Sequence, residues 1–225
     1  MKFIDKNLSE FTLHLDNKKQ KNPLVICIDP GLKGAIVVYS IKHRDLSMME
    51  LPVQHSKKLL SGETFIKTLI DLRELRNFVE SKIRVFGSQI VYLIIEKPFK
   101  RSLGSLKTYS TSVIEVGKLL ALIELITPVK SSFVCLPTPS SWTHHFSARV
   151  CKEGFSENHG FSDGRGYGMD LDIKKKRAKA LIDLFDFDEK SFYTERGRLK
   201  DGLSDACAML MWILHLGKTE FFTEI

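Results

Sequence analysis

The chain has 225 residues, of which 43% are hydrophobic, and it carries a formal net charge of +7 at pH 7. This length and apolar content are sufficient for one well-buried α/β domain, and no run approaches the roughly 18 apolar residues of a membrane span. The positive charge favours an anionic partner such as nucleic acid, although many cytosolic proteins are modestly basic for no specific reason. Because no apolar span is present, no membrane partner is expected.

The four cysteines have no close paired spacing, and three of them lie inside apolar runs. They are Cys27, Cys135, Cys151 and Cys207. This pattern is typical of buried free thiols rather than disulfides or zinc ligands, which predicts a reducing, cytoplasmic location. Residues 1–22 lack an apolar segment of signal-peptide length and are predicted to be a short N-terminal extension.

Apolar periodicity predicts strands over Leu24–Asp29, Ala35–Ile41 and Leu46–Val53, and then a helix over Glu63–Ser81 with a wide apolar stripe. The later predicted elements are strand Ile90–Glu96, helix Ser112–Ile126, strand Ser131–Leu136, helix Lys174–Phe185 and helix Asp201–Leu216. This order predicts an α/β fold with a mixed sheet whose first three strands are antiparallel, and with helices on both faces. One domain is expected over residues 23–218, with a mobile, glycine-rich loop at about 151–172 and a tail at 219–225.

Asp29 ends the first predicted strand directly before a Pro-Gly turn. The segment Ile28-Asp29-Pro30-Gly31, with Gly34 following, joins two apolar runs into a predicted hairpin. Turn chemistry alone accounts for an aspartate at this position, and that interpretation is favoured for the motif in isolation. The alternative is a carboxylate that serves whatever occupies the open end of the sheet.

Glu96 closes a continuous apolar strand shortly before Pro98. A carboxylate at the end of a buried strand is costly unless it is paired or bound to a metal. Lys97 is the nearest partner, but neighbours along a strand point to opposite faces, so Lys97 is poorly placed. A metal-binding or catalytic role for Glu96 is therefore favoured.

Asp201 and Asp205 stand four residues apart at the start of an apolar helix, which puts both on one helix face. Capping and macrodipole stabilisation also explain aspartates at a helix start. The helix is apolar nearly all round after Asp205, however. Two like charges at the start of a buried helix favour a bound cation.

Together, three segments resemble those of the RuvC-like Holliday junction resolvases, a branch of the RNase H-like nucleases. The segments are Ile28-Asp29-Pro30-Gly31 with Gly34, Ile94-Ile95-Glu96-Lys97-Pro98-Phe99, and Asp201-Gly202-Leu203-Ser204-Asp205-Ala206. The resemblance spans about residues 24–216. The last two acidic or histidine ligands of bacterial RuvC are about three residues apart, so the spacing of Asp201 and Asp205 is closer to the phage-type and chloroplast-type resolvases.

The resemblance implies an RNase H-like fold and a Mg²⁺-dependent endodeoxyribonuclease that resolves four-way DNA junctions by paired symmetric nicks. It implies two metal ions per active site, with Mn²⁺ as a substitute, and Asp29, Glu96, Asp201 and Asp205 as the catalytic and metal-binding residues. It also implies a homodimer whose interface includes the helix over Ser112–Ile126. Ordinary core packing explains the apolar stripe of that helix equally well.

Basic residues near Glu96 and at the start of the third predicted helix are the expected DNA contacts. They are Lys97, Lys100, Arg101, Lys107, Lys174, Lys175, Lys176 and Arg177, with Phe99 as a base-stacking wedge. A solvated charged face is the alternative for the basic residues, and core packing is the alternative for Phe99. His144 and His145 are not expected to bind a metal, because adjacent histidines rarely face one site.

Three other functions are compatible with these residues. Another RNase H-like nuclease, acting on RNA–DNA hybrids, flaps or branched phage DNA, would use the same carboxylates. A non-cleaving junction-binding protein would bind the same substrate without metal-dependent cleavage. An ATP-using kinase of the actin-like fold also starts with an Asp-Gly hairpin, but the sequence has no second phosphate-binding hairpin, which makes this the weakest alternative.

Overall fold

The computed structural model describes residues 22–60, 63–88, 90–98, 106–126, 131–143, 175, 178–179, 182, 188–216 and 223–224. The strands are β1 Leu24–Ile28, β2 Ala35–Ser40, β3 Asp45–Glu50, β4 Val53–Leu60, β5 Glu63–Ile70, β6 Ile90–Ile95, β7 Ser131–Cys135 and β8 Thr223–Glu224. The helices are α1 Leu72–Phe86, α2 Leu106–Ile126 and α3 Asp201–Leu216, with a short 3₁₀ helix at Glu189–Phe192.

Six strands form one mixed sheet in the order β3-β2-β1-β6-β7-β8, and β4 and β5 form a separate hairpin. β1, β2 and β3 pair antiparallel, whereas β6 pairs parallel with both β1 and β7. The predicted mixed sheet with three antiparallel strands first is therefore confirmed.

The central strands are buried on both faces because helices cover each side of the sheet. Every residue of β1, β2 and β6 is buried. On one face, Ile26 and Leu93 pack in a core with Leu75 of α1 and with residues of α2. On the other face, Cys27 and Ile94 pack with the apolar residues of α3. The predicted placement of helices on both faces is confirmed.

The predicted helix over Glu63–Ser81 is wrong in its first half. Residues 63–70 form β5, which pairs antiparallel with β4 from Val53↔Ile70 to Leu60↔Glu63. The helix begins only after Asp71, whose carboxylate accepts hydrogen bonds from the Arg73 and Glu74 N–H groups at 3.0 and 3.1 Å. An N-cap of this kind marks a helix start. The apolar stripe predicted from the sequence combined residues of the strand β5 with residues of the helix α1.

The remaining bounds differ from the prediction by smaller amounts. The strand predicted over Leu46–Val53 ends at Glu50, and α2 begins at Leu106, six residues before its predicted start. The helix predicted over Asp201–Leu216 is confirmed at both ends. Thr223 and Glu224, in the segment predicted as a tail, pair with β7. In the described part of the chain, no helix combines the length and the hydropathy needed to cross a membrane.

Cys27, Cys135 and Cys207 are buried and form no disulfide, as predicted, and Cys151 lies outside the described residues. Burial raises the pKa of Cys27, and the nearby Cys207 and Cys135 raise it further. Burial also raises the pKa of Cys135, to about 11. A thiol in this environment stays protonated and is a poor nucleophile.

These raised pKa values predict that the fold becomes less stable as the pH rises above about 9. The unfolded chain loses its thiol protons at a lower pH than the folded chain, so alkali favours unfolding. For Cys135 the loss is at most about 2 kcal/mol between pH 8 and pH 10.5. Urea unfolding at pH 8 and at pH 10.5 measures this loss in the free energy of unfolding. Cys135→Ala should lose less stability over this interval than the unsubstituted protein, and equal losses would contradict the assignment.

Candidate functional site

Two of the predicted carboxylates lie side by side at one end of the sheet. Ile28 and Ile95, the last residues of β1 and β6, are paired. The hydrogen-bond ladder continues beyond them, because the Glu96 N–H donates to the Ile28 carbonyl at 3.1 Å and the Asp29 N–H donates to the Ala35 carbonyl at 3.0 Å. Since paired strands lie about 4.8 Å apart, Asp29 and Glu96 are neighbours on this edge.

Asp29 and Glu96 also belong to the same face of the sheet. Alternate residues of a strand share a face, and Cys27 and Ile94, two residues earlier on their strands, belong to the core beneath α3. Both acidic residues are partly buried. Asp29 and Glu96 therefore lie on the face of the sheet that α3 covers.

The first turn of α3 packs directly on the turn that follows Asp29. A Cβ atom at Gly202 would overlap the Lys33 carbonyl oxygen and would lie 2.5 Å from the Gly34 Cα atom. A Cβ atom at Gly34 would in turn overlap the carbonyl oxygen of Asp29. Only glycine allows backbones to approach this closely. The two glycines therefore bring the start of α3, with Asp201 at its first position, to the end of β1.

Lys200 ties this start of α3 to the neighbouring strand. Its Nζ lies 2.9 Å from the Glu50 Oε2 at the end of β3, and its carbonyl accepts hydrogen bonds from the Leu203 and Ser204 N–H groups at 3.1 and 3.2 Å. The Glu50 side chain is 53% exposed, so this pair stabilises the fold by about 1 kcal/mol at most. Its main effect is to orient the first turn of the helix.

The two aspartates of α3 differ in their surroundings. Asp201 is exposed, whereas Asp205 is partly buried and follows the fully buried Ser204. Their four-residue spacing places them on one side of the helix, one turn apart. Asp205 is therefore the more enclosed of the two and Asp201 the more accessible.

The structure supports both interpretations of Asp29. Its Oδ1 accepts a hydrogen bond from the Gly31 N–H at 3.3 Å, which is the turn chemistry considered from the sequence. Asp29 also lies at the open end of the sheet, where its carboxylate could contact a bound ligand. One side chain can do both, because a carboxylate has two oxygens.

Carboxylate oxygens are the donors that Mg²⁺ and Mn²⁺ prefer, so the chemistry of the donor set suits these ions. Within the described residues, however, no three carboxylate, imidazole or thiol groups are grouped closely enough to hold an ion. The backbone brings Asp29, Glu96 and the first turn of α3 to one edge of the sheet. The side chains do not form a complete ligand set, and the assignment of these residues as metal ligands stays a prediction.

Few of the predicted DNA contacts fall within the described residues. Lys97 is exposed, and its N–H donates to the Pro137 carbonyl at 2.8 Å, which joins the ends of β6 and β7. Lys175 is exposed at a helical position. Phe99, Lys100, Arg101, Lys174, Lys176 and Arg177 lie outside the described residues, as do the Lys107 side chain, His144, His145 and residues 151–172. The DNA contacts therefore stay predictions.

Two features near this edge were missed from the sequence. Lys33 is exposed in the turn between Asp29 and β2, beside the start of α3. Its position between two glycines was the available signal. The second feature is the β4–β5 hairpin, whose sequence had been assigned in part to a helix. Alternating β-branched residues at Thr64, Ile66 and Thr68, followed by the Asp71 N-cap, were the available signal.

No family model and no curated protein matches this sequence. Solved structures similar to the chain include the Thermus thermophilus RuvC structure, at 13% identity and a TM-score of 0.40, covering 90% of this chain and 99% of that chain. The structure of T. thermophilus RuvC in complex with a Holliday junction substrate matches at 11% identity and a TM-score of 0.44, with the same coverage. The yeast mitochondrial Holliday junction resolvase Ydc2 matches at 12% identity and a TM-score of 0.47, covering 86% of this chain and 78% of that chain.

All three TM-scores are below 0.5, so these structures do not assign an activity to this chain. The fold rests instead on the strand order of the chain itself, and the candidate site rests on the position of its acidic residues. These positions define one acidic edge, formed by Asp29, Glu96, Asp201 and Asp205 where parallel strands and the start of α3 meet.

Proposed function

We propose that this protein is a structure-selective endodeoxyribonuclease that resolves four-way DNA junctions by paired symmetric nicks. The observation that carries the proposal is the adjacency of Asp29 and Glu96 on the face of the sheet covered by α3. Strands whose carboxyl ends carry adjacent acidic residues, with a helix start that adds two more, provide the oxygen ligands that metal-dependent phosphodiester hydrolysis requires.

Asp29, Glu96, Asp201 and Asp205 are the residues that would hold divalent metal. When bound, Mg²⁺ or Mn²⁺ supplies activation of the attacking water and neutralisation of the leaving 3′ oxygen. The chain itself positions the carboxylates through the strand ladder and the close contact at Gly202. Lys33 and Lys97 are exposed, and in this proposal they attract and orient the phosphate backbone at this edge.

The choice of a four-way junction as substrate rests on the sequence resemblance and on the expectation of a homodimer. A junction with two-fold symmetry requires two active sites related by the same symmetry. The described part of α2 presents apolar residues to solvent: Ile114 is 56% exposed and Leu125 is 83% exposed. These two residues are eleven positions apart, which is close to three helical turns, so they share one stripe. We propose that this stripe contacts a second copy of the chain.

The double substitution of Ile114 and Leu125 by glutamate is expected to convert the dimer to a monomer. Two charges on each copy would have to be buried against their symmetry mates, which is strongly unfavourable. Light scattering after size-exclusion chromatography measures the mass, and a cruciform plasmid reports whether the two nicks remain paired. Val85→Glu is the control, since Val85 is 74% exposed on α1. A double variant that remains dimeric would contradict this interface.

The proposed activity is tested by incubating the protein with a labelled, immobile four-way junction, a linear duplex and an RNA–DNA hybrid. Each substrate is tested with Mg²⁺, Mn²⁺ or EDTA. Paired symmetric nicks in the junction alone, lost in EDTA, are the expected result. Cutting of the hybrid would assign the acidic edge to a different RNase H-like nuclease. Junction binding without cleavage under any condition would overturn the nuclease proposal and leave a binding protein.

A further inference from the structure

The β4–β5 hairpin starts at the acidic edge of the sheet. β3 ends at Glu50, which pairs with Lys200 beside the start of α3. The next residue, Leu51, donates its N–H to the Gly34 carbonyl at 2.8 Å, within the turn that follows Asp29. The Asp71 N–H donates to the Pro52 carbonyl at 2.7 Å and closes the base of the hairpin. Both ends of the hairpin are therefore held next to the proposed catalytic residues.

The base of this hairpin is anchored in the core. Leu51 and Ile70 are buried with residues of α1. From Val53 onward the described side chains of β4 are mostly exposed, including Gln54, His55 and Lys57. Eight paired residues in each strand correspond to a ribbon about 26 Å long. A two-stranded ribbon is only marginally stable by itself, so a partner that binds it would stabilise it.

The charge of the hairpin indicates what kind of partner it fits. Three successive cross-strand pairs, Ser56↔Lys67, Lys57↔Ile66 and Lys58↔Phe65, each contain one lysine. Glu63 is the one acidic residue in the sequence from position 53 to position 70. By backbone register, positions 58 and 67 fall on one face of the ribbon, and positions 55 and 57 fall on the other face.

We propose that the β4–β5 hairpin is a DNA-binding arm that contacts the phosphate backbone of a duplex arm adjacent to the cleaved strand. The major groove of B-DNA admits a two-stranded ribbon, and lysines on both faces of such a ribbon can reach the phosphates on either side. Contacts of this kind position the duplex and carry no sequence information. The identification of the partner as DNA rests on the proposed nuclease function, whereas the location and charge of the arm do not.

The test removes the three lysines of the arm together, as Lys57→Ala, Lys58→Ala and Lys67→Ala in one variant. Lys42, Lys82 and Arg84 provide the matched control set. Stacking of His43 on Phe86, with ring centroids 5.6 Å apart, places the turn after β2 beside the end of α1, away from the acidic edge. Replacing these three residues by alanine removes the same charge. A third variant with arginine at positions 57, 58 and 67 keeps the charge and checks that the arm folds.

Binding of a labelled four-way junction is measured in EDTA at several salt concentrations. The alanine variant of the arm should bind at least about tenfold more weakly, with the slope of log affinity against log salt reduced by about 2 to 3. The control and arginine variants should bind within about threefold of the unsubstituted protein.

Equal affinity and equal salt slope for the two alanine variants would overturn the arm while leaving the nuclease proposal intact. A loss of dimerisation without a loss of DNA binding would also overturn it, because the hairpin would then be a protein contact. The experiment also distinguishes the opposite case, in which the nuclease proposal fails and the arm proposal holds. If the unsubstituted protein cuts no substrate but loses affinity for duplex DNA when the arm lysines are removed, the arm stands and the nuclease proposal fails.

Discussion

Asp29→Asn is expected to abolish junction cleavage, by about a thousandfold or more, while junction affinity in EDTA stays within about threefold. The substitution removes the negative charge that would attract a divalent ion and leaves the size of the side chain unchanged. The Asn Oδ1 can still accept the hydrogen bond from the Gly31 N–H that Asp29 Oδ1 accepts at 3.3 Å. The turn is therefore preserved, and the experiment separates the turn role of Asp29 from its proposed ionic role.

A loss of about a thousandfold corresponds to about 4 kcal/mol of transition-state stabilisation, which is a reasonable contribution for a residue that holds a catalytic ion. Glu96→Gln should behave in the same way, because Glu96 is the neighbour of Asp29 on the same sheet face. Asp45→Asn is the control. Asp45 is an exposed carboxylate paired with Ser40, at the other end of the sheet. Cleavage by Asp29→Asn at a near-normal rate would contradict the ionic role and leave only the turn role of Asp29.

Gly202→Ala is expected to impair both the stability of the protein and its cleavage activity. The added methyl group would overlap the Lys33 carbonyl oxygen and lie 2.5 Å from the Gly34 Cα, so α3 or the turn must move. Both neighbours are backbone atoms that cannot rotate away. Overpacking of this kind costs about 1 to 3 kcal/mol. A displacement of about 1 Å at a catalytic site can reduce the rate about a hundredfold.

Gly117→Ala is the matched stability control, because Gly117 lies within α2 and a Cβ atom there would have no neighbour within 4 Å. Alanine at an unobstructed helix position should increase the free energy of unfolding by about 0.5 to 1 kcal/mol. Urea unfolding at one protein concentration compares the two variants, and junction cleavage is measured for Gly202→Ala. A Gly202→Ala protein as stable and as active as the unsubstituted chain would show that α3 does not pack on the turn as described.

The hairpin shows where local sequence information was insufficient. Phe65, Ile66, Leu69 and Ile70 together with Leu72 and Leu75 fit a helical period, although the first four belong to β5 and the last two to α1. The strand is stabilised by its pairing with β4, which is a contact between residues up to seventeen positions apart. The apolar period of one segment carries no information about pairing with another segment. The available local signals of the boundary were the alternation at Thr64, Ile66 and Thr68 and the N-cap residue Asp71.

By itself, the sequence determined the three antiparallel strands, the apolar strand that precedes Glu96, the C-terminal helix and the four acidic residues to be tested. These follow from local patterns: uninterrupted apolar runs, a Pro-Gly turn and an apolar helix opening with two aspartates. Only the tertiary structure decided that Asp29 and Glu96 share one sheet face and that α3 begins against the turn after Asp29. Strand register and the approach of Gly202 to Gly34 depend on contacts between residues far apart in the chain, which no local pattern contains.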